Sequence, residues 1–484
     1  MKNLIILYST IFFFLLSCQD NRLENVYEDN ILFVKSGKTE VSGFLSNDKI
    51  EFNVPIYRSG LGDSDVEVTI EVDPSILGAY TNSEGQAMAL LPSDKYVLDN
   101  SNIKFSGDTR SAMSKLTVDI KSLHSIQEIL DDKHAIPLVI KTKGAKASEK
   151  RSELVVVPVL TGGIRPGSEE VVWSKTFTEL GVNPTDHFTA SLGVTSKYVY
   201  VNTRAEDLKY YDRFTGEYKG KIELPFKGSL TNFTVANDES DNLLITNLRN
   251  AAGIAQQTIY RIINGGAPSV FINIAHEYPN GRKLSILGDL TKDALITSTV
   301  ERSSNILVWT VRNGQVVSQT PTVIVLDATK IFWANFGDAI PLSQNINDGF
   351  FAVGNGNITN FGYFNGAGQM LGKLDLGQFP YPAGNNTVSQ SLAGFTFNGA
   401  RYLALATQSS PALTYGTIVD VSKYRVLDKI PTSSLIVYNT QPIATTANAN
   451  MTTDIQVRVS EDQKSFIMYV LGTNGSISAT KFTD

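Results

Sequence analysis

A pattern of strand, tight turn and strand recurs along the second half of the chain at intervals near fifty residues. Leu208 to Pro225, LKYYDRFTGEYKGKIELP, alternates apolar and polar residues on either side of a turn at Phe214-Thr215-Gly216-Glu217. Similar segments start at Tyr260, Val308, Phe361, Thr417 and Ser476. Tyr211, Tyr260, Trp309, Tyr363 and Ile418 hold comparable places, which makes the steps 49, 49, 54 and 55 residues. Several short strands per period of that length predict a β-propeller. The first repeat parses into Ala190–Val194, Tyr198–Asn202, Lys209–Arg213 and Tyr218–Leu224, but the sixth runs out one strand short. Val171–Phe177, a strand lying before the first repeat, supplies the missing one if it pairs with the last sheet, which would hide two edges. Six blades follow, with seven as the alternative if Ser433–Met451 holds another.

With 484 residues the chain is long for a single core, so two domains are expected. Between residues 31 and 160 strand signals dominate. Val66-Glu67-Val68-Thr69-Ile70-Glu71-Val72-Asp73 alternates strictly, and about seven such runs predict an immunoglobulin-like β-sandwich with one short helix at Pro74–Tyr80. Residues 161–169 read as a linker and 170–484 as the propeller, so the expected class is all-β.

At the N-terminus Lys2 precedes an apolar run from Leu4 to Leu16, then Ser17 and Cys18. The run is too short to span a bilayer and has the layout of a secretory signal peptide over residues 1–17. Leu15-Leu16-Ser17-Cys18 resembles the bacterial lipobox, whose cysteine becomes the lipidated first residue. Cys18 is the one cysteine of the chain, so no disulfide can form within it. Residues 18–30 are polar and acidic and read as a tether; a lipid anchor would hold the chain on a membrane, and the outer membrane is the expected address.

Ile56-Tyr57-Arg58-Ser59-Gly60, Val66–Tyr80, Leu90–Leu98 and Ala135–Thr142 resemble, in that order, the N-terminal β-sandwich domain of unknown function of Bacteroidetes surface lipoproteins. The resemblance implies a spacer module, a C-terminal module that carries binding, and a place beside a glycan-uptake system in the outer membrane. It supplies no catalytic residue.

Net charge is −6 and basic residues form no dense run, which argues against nucleic acid as a partner. His124, His134, His187 and His276 show no metal-ligand spacing, and nucleophile-elbow and phosphate-loop motifs are absent, so neither metal nor cofactor is expected. Asn237–Asn242 is rich in oxygen ligands and could be a calcium loop, but it falls where the other repeats place hairpin turns, the favoured reading.

One constellation remains. In a propeller the loops after each second strand share a side with the connections between blades. Arg204 and Asp207, Arg249, and Glu301 and Arg302 fall after the second strand of three consecutive repeats; Asn355, Asn357 and Tyr415 fall at the same place in later ones. The connections add His276, Tyr278, Trp333 and Tyr381. Flat aromatic faces beside Arg, Glu and Asn suit a sugar ring, so the expected partner is an oligo- or polysaccharide held without covalent chemistry. The alternatives are a propeller glycosidase or lyase, which needs paired acids among Glu206, Asp207, Glu277, Glu301 and Asp327, and a protein-interaction scaffold.

Overall fold

Alternation along Val66–Val72 becomes a burial pattern: Val66, Val68 and Ile70 are buried while Glu67 and Glu71 are exposed. The structure, a computed structural model, describes residues 29–44, 48–82, 85–120, 133–161, 163–165, 167–183, 190–249, 253–326, 337–355, 359–375, 378–379, 388–410, 413–445 and 453–483. Among these no helix is long and apolar enough to cross a membrane. Cys18, Trp333 and Tyr381 lie outside the described residues, as do His124, His187, Asp327 and Asn357.

Two compact units divide the all-β chain, residues 1–161 and 162–484. In the first, one sheet is built on Asn30–Phe33, Lys49–Ser59 and Ser111–Asp119, the other on Gly37–Phe44, Glu153–Thr161, His134–Lys143 and Val66–Val72. A single apolar cluster draws on both, with Phe33, Phe52 and Ile56 from one sheet and Val68, Leu138 and Val156 from the other. The segment expected to be helical is a 3₁₀ turn, Pro74–Ala79, capped by Asp73, whose carboxylate accepts from Ser75 N at 3.0 Å. Arg58 of the Ile56–Gly60 motif is fully buried and paired with Asp29, whose other oxygen accepts from Gly62 N at 3.2 Å. The pair leaves neither charge unmatched inside the unit.

Among its described residues the second unit holds six antiparallel sheets. Their first strands are Ala190–Val194, Thr234–Asn237, Ser285–Gly288, Gly337–Pro341, Val388–Phe397 and Asp454–Val459. Consecutive first strands touch, and the sixth also touches the first. Six apolar clusters fill the gaps between neighbouring sheets, the sixth (Trp173, Leu192, Val201, Ile467, Tyr469) lying between sheet six and sheet one. The outer strand of sheet six is Glu169–Thr176, antiparallel to Ser476–Thr483. Trp173 fixes it: the indole donates to Arg213 O at 2.9 Å and its ring lies 6.1 Å from Tyr469.

Polar side chains on the first strands tie the sheets together. Asp454 accepts from Leu192 N at 2.7 Å and from Ser391 Oγ at 2.6 Å; Asp338 accepts from Ser285 Oγ at 2.7 Å and Leu392 N at 3.1 Å. Lys283, just before the third sheet, reaches Asp454 of the sixth at 3.0 Å, with both side chains under a tenth exposed. Burial raises the pKa of Asp338 against the opposing pull of Lys283.

Two details depart from the expected strand pattern. The return strand of the fifth repeat, expected within Thr417–Ile430, is a 3₁₀ turn at Tyr424–Lys429, and the outer strand comes later at Ile436–Asn439. Tyr424 packs edge-on against Tyr363, centroids 4.6 Å apart, which draws that segment onto sheet four. Ile443–Ala444 also pairs within sheet five, so the described part of Ser433–Met451 adds strands there and no further sheet.

Candidate functional site

Three loops and one connection meet on the side where the second strands of sheets one to three end. After the strand Tyr198–Thr203 the chain turns through Ala205, held at φ 63°. Asn232 stabilises that turn: its Oδ1 accepts from Ala205 N at 3.2 Å and its Nδ2 donates to Thr203 O at 3.1 Å. The turn presents Arg204 over the ring of the buried Phe233, 4.5 Å from its centroid, and Arg282 lies over the same ring at 5.5 Å. Glu301 pairs with Arg282, both side chains less than a fifth exposed.

Asn280 joins these loops. Its backbone exchanges hydrogen bonds with Arg249 at 2.8 and 2.9 Å and bridges to Val300, while Glu301 N donates to Pro279 O at 2.8 Å. His276 stands on the same connection; its Nδ1 accepts from Tyr278 N at 3.1 Å, and the two rings are 5.9 Å apart. Burial, with a smaller contribution from the Arg249 charge, lowers the His276 pKa to about 4, so its imidazole is neutral near pH 7. Arg249 Nε, His276 Nε2 and Asn280 Oδ1 are buried atoms with no hydrogen-bond partner among the described residues. The three atoms, two donors and one acceptor, fall on residues that this run of loops brings together.

Arg204, Arg249, His276, Tyr278 and Glu301 are thus brought into one run of loops, and Arg302, exposed at φ 52°, sits at its edge. Two residues fall elsewhere. Asp207, expected to face a ligand, is buried and holds Lys221 at 2.7 Å, Lys227 at 2.6 Å and Leu224 N at 3.1 Å. The lysines hold its carboxyl well below the usual range, and it anchors the fourth strand of sheet one. Tyr415, expected in a loop, is the third residue of the strand Leu413–Asp420 and is buried. Phe233 and Arg282 escaped the sequence reading because a phenylalanine beside a strand looks like core, and nothing local marks the arginine that will meet its ring.

Asn237–Asn242 joins the first two strands of sheet two as a turn. Asp238 accepts from Ser240 N, Asn242 N, Asn242 Nδ2 and Leu290 N, each at 2.8 Å, so its oxygens serve the turn and the next sheet. Among the described residues no group of three His, Cys, Asp or Glu is placed to hold a metal ion.

Comparison with known proteins bears on the same unit. Residues 171–482 match the family model for the domain of unknown function DUF8500. The chain belongs to the DUF8500 family. Residues 27–146, ahead of the DUF8500 region, match a second model, for an N-terminal domain. No curated protein matches. Among solved structures, a DUF4623 family protein from Bacteroides eggerthii aligns over 81% of this chain and 87% of its own at 13% identity and a TM-score of 0.52, a likeness of fold alone. A candidate carbohydrate-binding protein from Bacteroides ovatus aligns over 87% of this chain and 98% of its own, at 12% identity and a TM-score of 0.26. A two-domain protein of unknown function from Bacteroides fragilis aligns over 54% and 86%, at 15% identity and 0.24. The last two scores are too low to carry an argument.

Proposed function

We propose that this DUF8500 protein captures a saccharide without covalent chemistry, on the loops that carry Arg204, Arg249, His276, Tyr278 and Glu301. The observation that carries the reading is the set of unpartnered buried atoms on Arg249, His276 and Asn280, which offers both donors and an acceptor at one place. Arg204 and Arg282 over Phe233 and the His276–Tyr278 pair put flat rings and forked donors nearby. Capture is favoured over cleavage because Glu206 is engaged with Lys209, Asp207 with two lysines and Glu301 with Arg282, which leaves Glu277 as a lone described acid where cleavage needs a pair.

In the same reading the second unit is a six-bladed propeller. Support comes from the six gap-filling clusters, from the contact of the sixth first strand with the first, and from the Glu169–Thr176 strand in the last sheet. The first unit is an immunoglobulin-like sandwich acting as a spacer, supported by its two sheets around one core. Cys18 carries the lipid that holds the chain on the outer membrane, where an uptake complex would receive the glycan; the lipobox-like Leu15–Cys18 supports this. The test is a glycan array probed with the chain lacking residues 1–18, followed by mass analysis of any bound glycan. Retention of an unaltered glycan is expected. Release of shortened products would make the protein an enzyme, and an array without any retained glycan would remove the saccharide reading.

A further inference from the structure

A second concave feature lies between sheets one and two and is lined by residues other than those of the loop cluster. Tyr198 and Tyr200 stand two residues apart on the second strand of sheet one, and Tyr210 is paired directly across from Tyr200. All three rings therefore share the face turned toward sheet two. Their centroids are 4.9, 5.6 and 6.3 Å apart, and they line a groove of about 590 Å³. The opposite wall is the Asn264–Pro268 turn of sheet two. The base of the gap is core, where Tyr200 packs with Val235, Leu243 and Ile262. Tyr198 and Tyr210 remain half-buried, with ring surface left at the mouth.

The groove's polar groups are largely fixed in place. Lys221 is held by Asp207, and Asp241 is held by Ser196 N at 2.8 Å and Arg458 at 2.7 Å. Lys197 and Glu223 complete the rim and are exposed. Gly220 keeps the space open for the phenol: a Cβ there would stand 2.5 Å from the Tyr210 hydroxyl. Two lysines face two carboxylates, so the rim gives no net attraction to a polyanion or a polycation. Flat rings, hydroxyls and balanced charges on a groove of this volume fit a ligand that is uncharged, has an apolar face and carries many hydroxyls.

We propose that the groove between sheets one and two, lined by Tyr198, Tyr200 and Tyr210, is a binding site for a neutral saccharide. It is separate from the loop cluster and does not depend on it, because no residue is shared between the two. A neutral peptide would also meet the rings, but a peptide gains most of its affinity by pairing main-chain groups with a strand edge. The lining here is side chains and a turn.

The test uses the full chain in detergent, run in native gels cast with four neutral polysaccharides: a β-glucan, an α-glucan, a mannan and a xylan. Any that retards the protein is then titrated calorimetrically as its oligosaccharide. Tyr198→Ala removes a half-buried ring, and Lys197→Ala, an exposed change, keeps the proposal testable if the first variant misfolds. The expected result is retardation by at least one polysaccharide, weakened about tenfold by Tyr198→Ala and measurably by Lys197→Ala, but unchanged by Lys143→Ala, an exposed change in the first unit. Two results would overturn the groove site. One is the absence of retardation in all four gels, and the other is retardation insensitive to both groove variants. A polysaccharide whose retardation is lost with Arg249→Ala but not with either groove variant binds at the loop cluster and counts against the groove, whereas one lost with the groove variants but not with Arg249→Ala binds at the groove and leaves the loop cluster to the array.

Discussion

Asp454→Ala should loosen the join between sheet six and its neighbours more than any surface change. Asp454 accepts from Lys283 Nζ at 3.0 Å, Ser391 Oγ at 2.6 Å and Leu192 N at 2.7 Å, and so links sheet six to sheets three, five and one. Its side chain is 4% exposed and that of Lys283 8%. Removing the carboxylate leaves a buried ammonium that donates to Thr453 O at 3.0 Å and an orphaned backbone N–H at Leu192. Breaking one side of a buried pair costs about 3–5 kcal/mol, and a buried donor left without its acceptor about 1–3. The terms share a network and do not add fully, so about 5 kcal/mol is expected. For a unit of this size that lowers the melting temperature by about 10 °C. Scanning calorimetry at pH 7 reads the change. The double variant Lys283→Met with Asp454→Asn should recover more than half of the loss, since no charge is then stranded. A single variant melting within about 2 °C of the parent, or a double variant as unstable as the single, would refute the reasoning.

Three further outcomes are expected. The His276 imidazole, followed by NMR, should titrate near pH 4. Because its folded pKa lies below the unfolded value of about 6.5, its contribution to stability is present above pH 6.5 and is lost as pH falls through 4. His276→Gln should flatten that limb, and a midpoint near 6.5 would contradict the buried site. Deleting Glu169–Thr176 bares the edge of Ser476–Thr483 and removes Trp173 from the cluster between sheets six and one, so the whole second unit should melt earlier, in one transition; an unchanged melt would count against the six-sheet arrangement. Cys18→Ser should move the protein from the membrane fraction to the soluble one, and unchanged partitioning would sink the lipid anchor.

Much of the architecture was open to reading because it is local. Period-two alternation puts Val66, Val68 and Ile70 on one face whatever surrounds them, and the recurrence from Tyr211 to Ile418 marks equivalent strands. The pairing of Glu169–Thr176 with the last strand could be inferred from a strand left over at one end and another missing at the other. Where distant residues decide, the pattern misled. Alternation in Tyr424–Ile430 looks like a strand, but Tyr363 draws Tyr424 inward and the segment turns. Position in a loop told where Arg204 and Asp207 lie, but not that one stacks on Phe233 while the other is occupied by Lys221 and Lys227. Tyr198, Tyr200 and Tyr210 read as strand residues; only the register between the second and third strands brings the three rings together.

The saccharide reading of the loop cluster is tested most directly by titrating a glycan retained on the array into the parent chain, Arg204→Ala and Arg249→Ala. Loss of a hydrogen bond from a charged donor costs about 1.5–3 kcal/mol, so each variant should bind about tenfold or more weakly. Melting temperatures should stay near the parent's, with the larger change for Arg204, which also loses its contact with Phe233. Affinity that survives both substitutions in folded protein would contradict capture by these loops.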